Sequence, residues 1–104
     1  MSKIGIGIIT CNRNDFLKTC ISSIKKEWYN EIIIINDGEL PVIDNNIKII
    51  NNKTNIGVCK SKNKALRYLL DKNCDHIFLV EDDMKFLDNI FKEYIKASEI
   101  TGIK

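Results

Sequence analysis

The stretch "EIIIIN", Glu31 to Asn36, sets four consecutive isoleucines between polar residues. Branching at Cβ costs side-chain freedom in a helix and suits a pleated strand. A half-buried strand would alternate apolar and polar residues. An unbroken apolar run this short fits a strand covered on both faces, the situation found in parallel sheets.

The rest of the chain supplies partners for such a strand. Ile4 to Thr10 alternates Ile and Gly before becoming continuously apolar, and reads as a first strand. Gly5 and Gly7 within it imply close packing by another element. "NRND" offers Asn14 or Asp15 as a helix cap. Phe16, Leu17, Cys20, Ile21 and Ile24 follow at helical spacing, predicting a helix to about Lys26. After "EIIIIN", the segment "NDGELPVIDNN" is a loop and "IKII" a short third strand. "NNKTNIG" is a second loop. Val58, Ala65, Leu66, Leu69 and Leu70 mark a second helix ending near Asp71, and Cys74 to Val80 a fourth strand. Phe86, Leu87, Ile90, Phe91, Tyr94 and Ile95 mark a third helix, with Asp88 as its cap. The closing "EITGIK" holds a glycine and a β-branched residue that could open another strand. Trp28, Tyr29 and Tyr94 are expected in the core.

This order of elements is that of an α/β domain with short loops. At 104 residues the chain is expected to be one domain, residues 1–104, with a single modest core. In open α/β sheets ligands bind beyond the carboxyl ends of the strands. Those tips are "TCNRN", "NDGE", "NNKTNIG" and "EDDM", all polar. If the strands are parallel, the four loops gather at one edge and build one site.

Composition narrows the chemistry. A formal charge of +2, with scattered lysines, argues against a nucleic-acid or membrane-surface partner. No apolar run approaches the ~20 residues of a membrane span, and no signal peptide is read at the start, so a cytoplasmic location is expected. Four cysteines, Cys11, Cys20, Cys59 and Cys74, lack CxxC spacing and accompany one histidine. They read as reduced, small core residues, not a zinc site. His76 opens the fourth strand, away from the polar tips, and reads as a structural or surface residue. No Ser-His-Asp or Cys-His arrangement, GxGxxG or P-loop is present.

The acids Glu81, Asp82 and Asp83 at the end of the fourth strand carry the sharpest signal. Like charges repel unless solvent or a cation offsets them. In extended geometry Glu81 and Asp83 share a direction and Asp82 opposes them. Glu-x-Asp is then a candidate clamp for a divalent cation and a diphosphate. A solvated acidic turn before the third helix accounts for the same residues equally well. Asp37, leaving the second strand at the same edge, could accept hydrogen bonds from a base or ribose, or could simply form an Asp-Gly turn. Lys62, Lys60 and Asn63 in the first turns of the second helix, and Asn12 and Arg13 after the first strand, fit either ligand contact or a solvated face.

Taken together, "IGIGIITCNRNDFLKTCISSI", "IIIINDGE", "NIGVCKSKNKAL" and "HIFLVEDDMKF" resemble the N-terminal, nucleotide-sugar-binding half of a GT-A-fold glycosyltransferase of family 2 type. Here "TCNR" stands for that family's "TYNR"-like turn and "NDGE" for its "DDGS"-like turn. "NIGVCKSKN" stands for its "N-x-G-x-x-x-A-R-N" stretch and "VEDDM" for its DxD motif. The last is also similar to the EDD form of N-acetylglucosaminyltransferases that act on N-glycans. The resemblance covers about residues 3 to 97.

It implies a truncated GT-A fold: a Rossmann-like three-layer sandwich whose parallel four-stranded sheet is ordered 3-2-1-4, with helices on both faces. It implies that Asp37 contacts the nucleoside, with Thr10 and Arg13 beside it. Lys62 stands where the family carries arginine. Asp83 and Glu81 would hold Mn²⁺ or Mg²⁺ on the donor diphosphate, with Asp82 on the nucleotide-sugar side. The implied function is sugar transfer from a metal-bound nucleotide-diphosphate sugar, a UDP-sugar favoured, to an unknown acceptor. Family members are usually more than twice this length, and their second half supplies the acceptor site and catalytic base. The alternatives are a non-catalytic nucleotide-sugar-binding or regulatory module, or a fragment lacking the acceptor half. A homo-oligomer or a partner chain would then complete the sheet at its fourth-strand edge.

Overall fold

The computed structural model describes residues 3–39 and 47–101. Four strands form one parallel sheet: β1 (Ile4–Thr10), β2 (Glu31–Asn36), β3 (Lys48–Asn51) and β4 (His76–Glu81). Their order is β3-β2-β1-β4. Three helices accompany them: α1 (Asn14–Ser23), α2 (Val58–Asp71) and α3 (Ile90–Thr101), with a 3₁₀ turn at Lys26–Trp28. This is the expected α/β class and strand order, a truncated Rossmann-like arrangement.

The isoleucine run explains the layering. Ile33, Ile34 and Ile35 are all fully buried although successive residues face opposite sides. One side holds Ile6, Ile8, Ile34 and Val80 packed with Leu17 and Cys20 of α1 and Phe91 of α3. The other holds Ile9, Ile33 and Ile35 packed with Ala65 and Leu69 of α2. Helices thus cover both faces, and β1 and β2 lie in the dry centre.

Gly7 lets α2 settle onto the sheet. A Cβ there would lie 2.8 Å from the Ala65 Cβ, and one on Gly5 would lie 2.9 Å from Leu69. The glycines of "IGIGIIT" therefore admit a helix, as their position within a strand predicts.

Several boundaries and burials differ from expectation. α1 begins at Asn14 with Arg13 in the capping position and no side-chain cap, so neither Asn14 nor Asp15 caps it. It stops at Ser23, short of Lys26, because Ile24 turns extended and buries its side chain. α3 starts at Ile90, beyond Phe86 and Leu87. Its cap is Asn89, whose Oδ1 accepts the Lys92 N–H at 3.1 Å, and not Asp88. That later start leaves Phe91 as the buried contact. Tyr94 is 63% exposed, its ring meeting that of Phe78 at 6.2 Å between centroids. Trp28 does pack on the core, edge-on to Phe91. In α2 the buried stripe is Ser61, Ala65 and Leu69, while Val58 and Leu70 face outward because the sheet contacts a narrow band of the helix. All four cysteines are free; Cys20 and Cys74 are buried as expected, but Cys11 and Cys59 are exposed in the loop after β1 and the first turn of α2. "EITGIK" continues α3 to Thr101, and its last residues, like 40–46 of the loop after β2, lie outside the described residues.

Candidate functional site

Because all four strands run parallel, their carboxyl ends lie at one edge, and the loops after them meet there. Register fixes the neighbours. Ile9 pairs with Glu81, so Thr10 stands beside Asp82; Thr10 also pairs with Asn36, so the loops after β1 and β2 start level.

The first three loops enclose a polar cleft of about 730 Å³, lined by Asn12, residues 36–39 and residues 51–55. Asn12 takes a positive φ of 55°, a conformation asparagine tolerates, and its Oδ1 accepts the Glu39 N–H at 2.8 Å. Gly38 is required beneath it, since a Cβ there would lie 2.6 Å from the Asn12 backbone nitrogen. Asn36 donates from Nδ2 to Asn51 Oδ1 at 2.9 Å and accepts the Gly38 N–H at 3.0 Å. This ties the tips of β2 and β3 and closes an Asx turn.

Asp37 is the hub of the cleft. Its Oδ1 accepts from Asn52 Nδ2 and the Ile56 N–H, both at 2.8 Å, and its Oδ2 accepts the Gly57 N–H at 2.9 Å. The carboxylate therefore sits where α2 begins, against amides that would otherwise lack partners. Burial pushes its pKa up, but the donors Ile56, Asn52 and Gly57, with the charge of Lys64, outweigh that and hold it below the usual value. Lys64 reaches the same network through Asn52 Oδ1, at 2.6 Å. Gly57 makes the turn into α2 at φ 92°, a backbone geometry L side chains rarely adopt.

The three acids after β4 are separated by their partners. The Met84 N–H donates to the Glu81 carbonyl at 3.3 Å and closes a turn, so extended alternation ends at Glu81. Glu81 is exposed and pairs with Lys62 of α2 at 3.8 Å. Asp82 turns inward and is fully buried, accepting from Thr10 Oγ1 at 2.8 Å and from the Arg13 guanidinium. Asp83 is exposed and makes no hydrogen bond or ion pair with a described residue. Two cations thus offset two acids, and the third faces solvent. Beneath them, the Cys20 thiol donates to the Glu81 carbonyl at 3.9 Å. Burial, aided by Asp82 and Asp83, pushes that thiol's pKa up to about 11.

The anticipated residues therefore separate. Thr10 and the half-exposed Arg13 both bond the buried Asp82, Lys62 joins Glu81, and Asp83 faces solvent. Asp37 lines the cleft, apart from the acids. The loop after β1 belongs to both regions, through Asn12 on the cleft and Arg13 on Asp82. The sequence reading places Asn51, Asn52 and Asn55 in a loop of the site and Asn55 and Ser61 in a family motif, but singles out none of the four as a site residue. The density of asparagine at the end of β3 was the available signal. Among the described residues no group of three or more His, Cys, Asp or Glu side chains is placed to hold a metal ion. The donors on offer are the exposed Glu81 and Asp83. Hard carboxylate oxygens suit Mg²⁺ or Mn²⁺ when a diphosphate and water complete the shell. Among the described residues no helix is long and apolar enough to cross a membrane.

No family model matches the sequence. An uncharacterized glycosyltransferase of Acanthamoeba polyphaga mimivirus is 31% identical over 118 aligned residues, covering 98% of this chain and 45% of that protein. An uncharacterized glycosyltransferase of Haemophilus influenzae is 37% identical over 75 residues, covering 59% of this chain and 23% of that protein. The chain thus spans less than half the length of these curated relatives. It is similar in sequence to part of each of these two proteins, both named as glycosyltransferases.

Proposed function

We propose that this relative of glycosyltransferases is a nucleotide-sugar-binding domain of the GT-A, family 2 type, acting in sugar transfer from a nucleotide-diphosphate donor. The observation that carries the reading is the convergence of four polar loops at the carboxyl edge of the sheet. A nucleoside-sized cleft lies on one side of the β1 loop and exposed carboxylates lie on the other. A UDP-sugar is the favoured donor by the motifs "TCNR", "NDGE" and "VEDDM".

The residues divide the work in this reading. The cleft between the loops after β1, β2 and β3 receives the nucleoside. Asp83 and Glu81 would hold Mn²⁺ or Mg²⁺, which when bound offsets negative charge on the departing nucleoside diphosphate. Arg13 neutralises Asp82 and keeps it turned inward, so the β1 loop and the acidic turn hold one relative position. Lys62 supplies positive charge beside Glu81, where a diphosphate would approach. The acceptor site and the catalytic base come from further chain or from a partner.

Isothermal titration with UDP-sugars and GDP-sugars, with and without Mn²⁺, tests this. Metal-dependent binding is expected, and its absence for every donor would sink the reading. Asp83→Ala should abolish the metal dependence and leave the thermal melt unchanged, since the side chain bonds to no described residue. An unaltered metal response would remove Asp83 from the site. Donor hydrolysis or transfer above background separates an enzyme from a binding module.

A further inference from the structure

We infer that Lys62 is a built-in counter-ion of Glu81, one that yields the carboxylate to a divalent cation and is then free for the donor diphosphate. The inference rests on the donor-binding reading above and deepens it. A contact of Lys62 with a diphosphate belongs to that reading; the exchange at Glu81 goes beyond it.

The turn after β4 holds three acids, and two basic side chains meet them. Arg13 pairs with Asp82 and Lys62 with Glu81, while Asp83 has no ion partner among the described residues. The two pairs differ in what it takes to break them. Asp82 is fully buried, so withdrawing Arg13 would leave a charge uncompensated away from water. The Lys62 and Glu81 side chains are 36% and 49% exposed, and their charged atoms lie 3.8 Å apart. Water solvates both partners when they separate, and a pair of this kind adds little to stability. Lys62 is therefore the cation that can leave.

Its place on α2 fits the second half of the exchange. Ser61, one residue earlier, is fully buried, and its Oγ accepts from Asn52 Nδ2 at 3.2 Å. Asn52 also donates to Asp37 in the wall of the cleft. One turn of α2 thus touches the cleft through Ser61 and the acidic turn through Lys62. Ser61 holds the helix in place, and the flexible four-carbon stem of Lys62 lets the ammonium move without it. A diphosphate that joins a nucleoside in the cleft to a cation on Glu81 and Asp83 ends beside this ammonium. Like charges repel, so Lys62 opposes a divalent cation that arrives alone. It favours one that arrives with a diphosphate, whose negative charge it meets. Lys62 thereby couples metal binding to nucleotide binding.

The test uses the whole chain, with Mn²⁺ alone followed by electron paramagnetic resonance and UDP or GDP in saturating Mn²⁺ followed by calorimetry. Lys62→Met keeps most of the stem and removes the charge. It should bind Mn²⁺ alone about threefold more tightly and the nucleotide with Mn²⁺ about threefold more weakly, the scale of an exposed charge pair. Opposite changes are the signature of exchange, since a residue that only supports the fold moves both affinities the same way. In the Glu81→Gln chain, Lys62→Met should no longer tighten Mn²⁺, because the carboxylate in contention is gone. Equal tightening in both backgrounds means repulsion at a distance and overturns the exchange. A wild-type chain that binds nucleotide, with a Lys62→Met variant whose Mn²⁺ affinity is unchanged or weaker, overturns the inference alone. So does an unchanged nucleotide affinity in that variant. A wild-type chain that binds neither UDP nor GDP, with or without Mn²⁺, overturns the donor-binding reading and this inference together.

Discussion

Three donors converge on Asp37, and their effect on its proton affinity gives a stability signature. Its folded-state pKa lies below the unfolded value, because hydrogen bonds from Ile56, Asn52 and Gly57 and the Lys64 charge exceed the upward push of burial. A depressed carboxyl stabilises the fold at pH values above its unfolded pKa, and this contribution is lost as pH falls through the folded pKa. The loss therefore begins near the unfolded value of about 4. Melting temperatures of the wild-type chain and Asp37→Asn should differ most at neutral pH and converge as the pH drops below about 4. At neutral pH the variant should cost about 2 kcal/mol, the scale of hydrogen bonds to a charged group. A gap that stays constant through the acid range would show that the ionised carboxylate is not what holds the third loop. At this scale, the sequence disclosed which residues reach the sheet edge but not what they bond. Asp37 and Asp82 look alike in sequence, each an acid just beyond a strand. Only register and backbone direction reveal that one collects amides from α2 and the other is sealed by Thr10 and Arg13.

At the scale of elements, the contact between β1 and α2 leaves no room for a side chain at Gly7. Ala65 carries its Cβ directly on the helix backbone, so it cannot swing aside for a methyl group on Gly7. Gly7→Ala should cost about 1–3 kcal/mol through overpacking, read as a lower midpoint in urea. Pairing it with Ala65→Gly removes the clash, so the double variant should lose less stability than the two single losses added. Additive losses would mean that α2 shifts freely over β1. The elements themselves were legible because their signals are local and strong. Four isoleucines in a row admit little but a strand covered on both faces, and the order of elements carried the α/β class, while the strand order came from the family resemblance. The ends of elements were less legible, for a physical reason. α1 stops where Ile24 finds the core, and α3 waits for Asn89 to cap it. The first depends on a tertiary contact and the second on a local cap, and helical periodicity encodes neither. Tyr94 has the right spacing for a core stripe, yet α3 presents Phe91 to the sheet and leaves Tyr94 at its border.

For the molecule as a whole, the two borders of the sheet differ. β3 is short, and its ends, Lys48 and Asn51, are exposed polar residues, a common way to discourage further pairing. β4 is longer, pairs only with β1 among the described strands, and carries half-buried Ile77, Phe78 and Leu79 between its polar ends. Neither proline nor lysine interrupts it. Backbone donors and acceptors on its outer side pair with no described strand, and a further strand there would cover the adjoining apolar side chains. A second copy of this chain offers the same open strand and can pair with it. We therefore expect self-association through β4. Light scattering should give a mass that rises above that of one chain as concentration increases, with the β4 amides becoming protected from exchange in the same range. A single-chain mass at all concentrations would overturn this expectation. Association with unprotected β4 amides would move the contact to another surface, where the exposed Leu70 of α2 and Leu87 before α3 are the next apolar groups to examine.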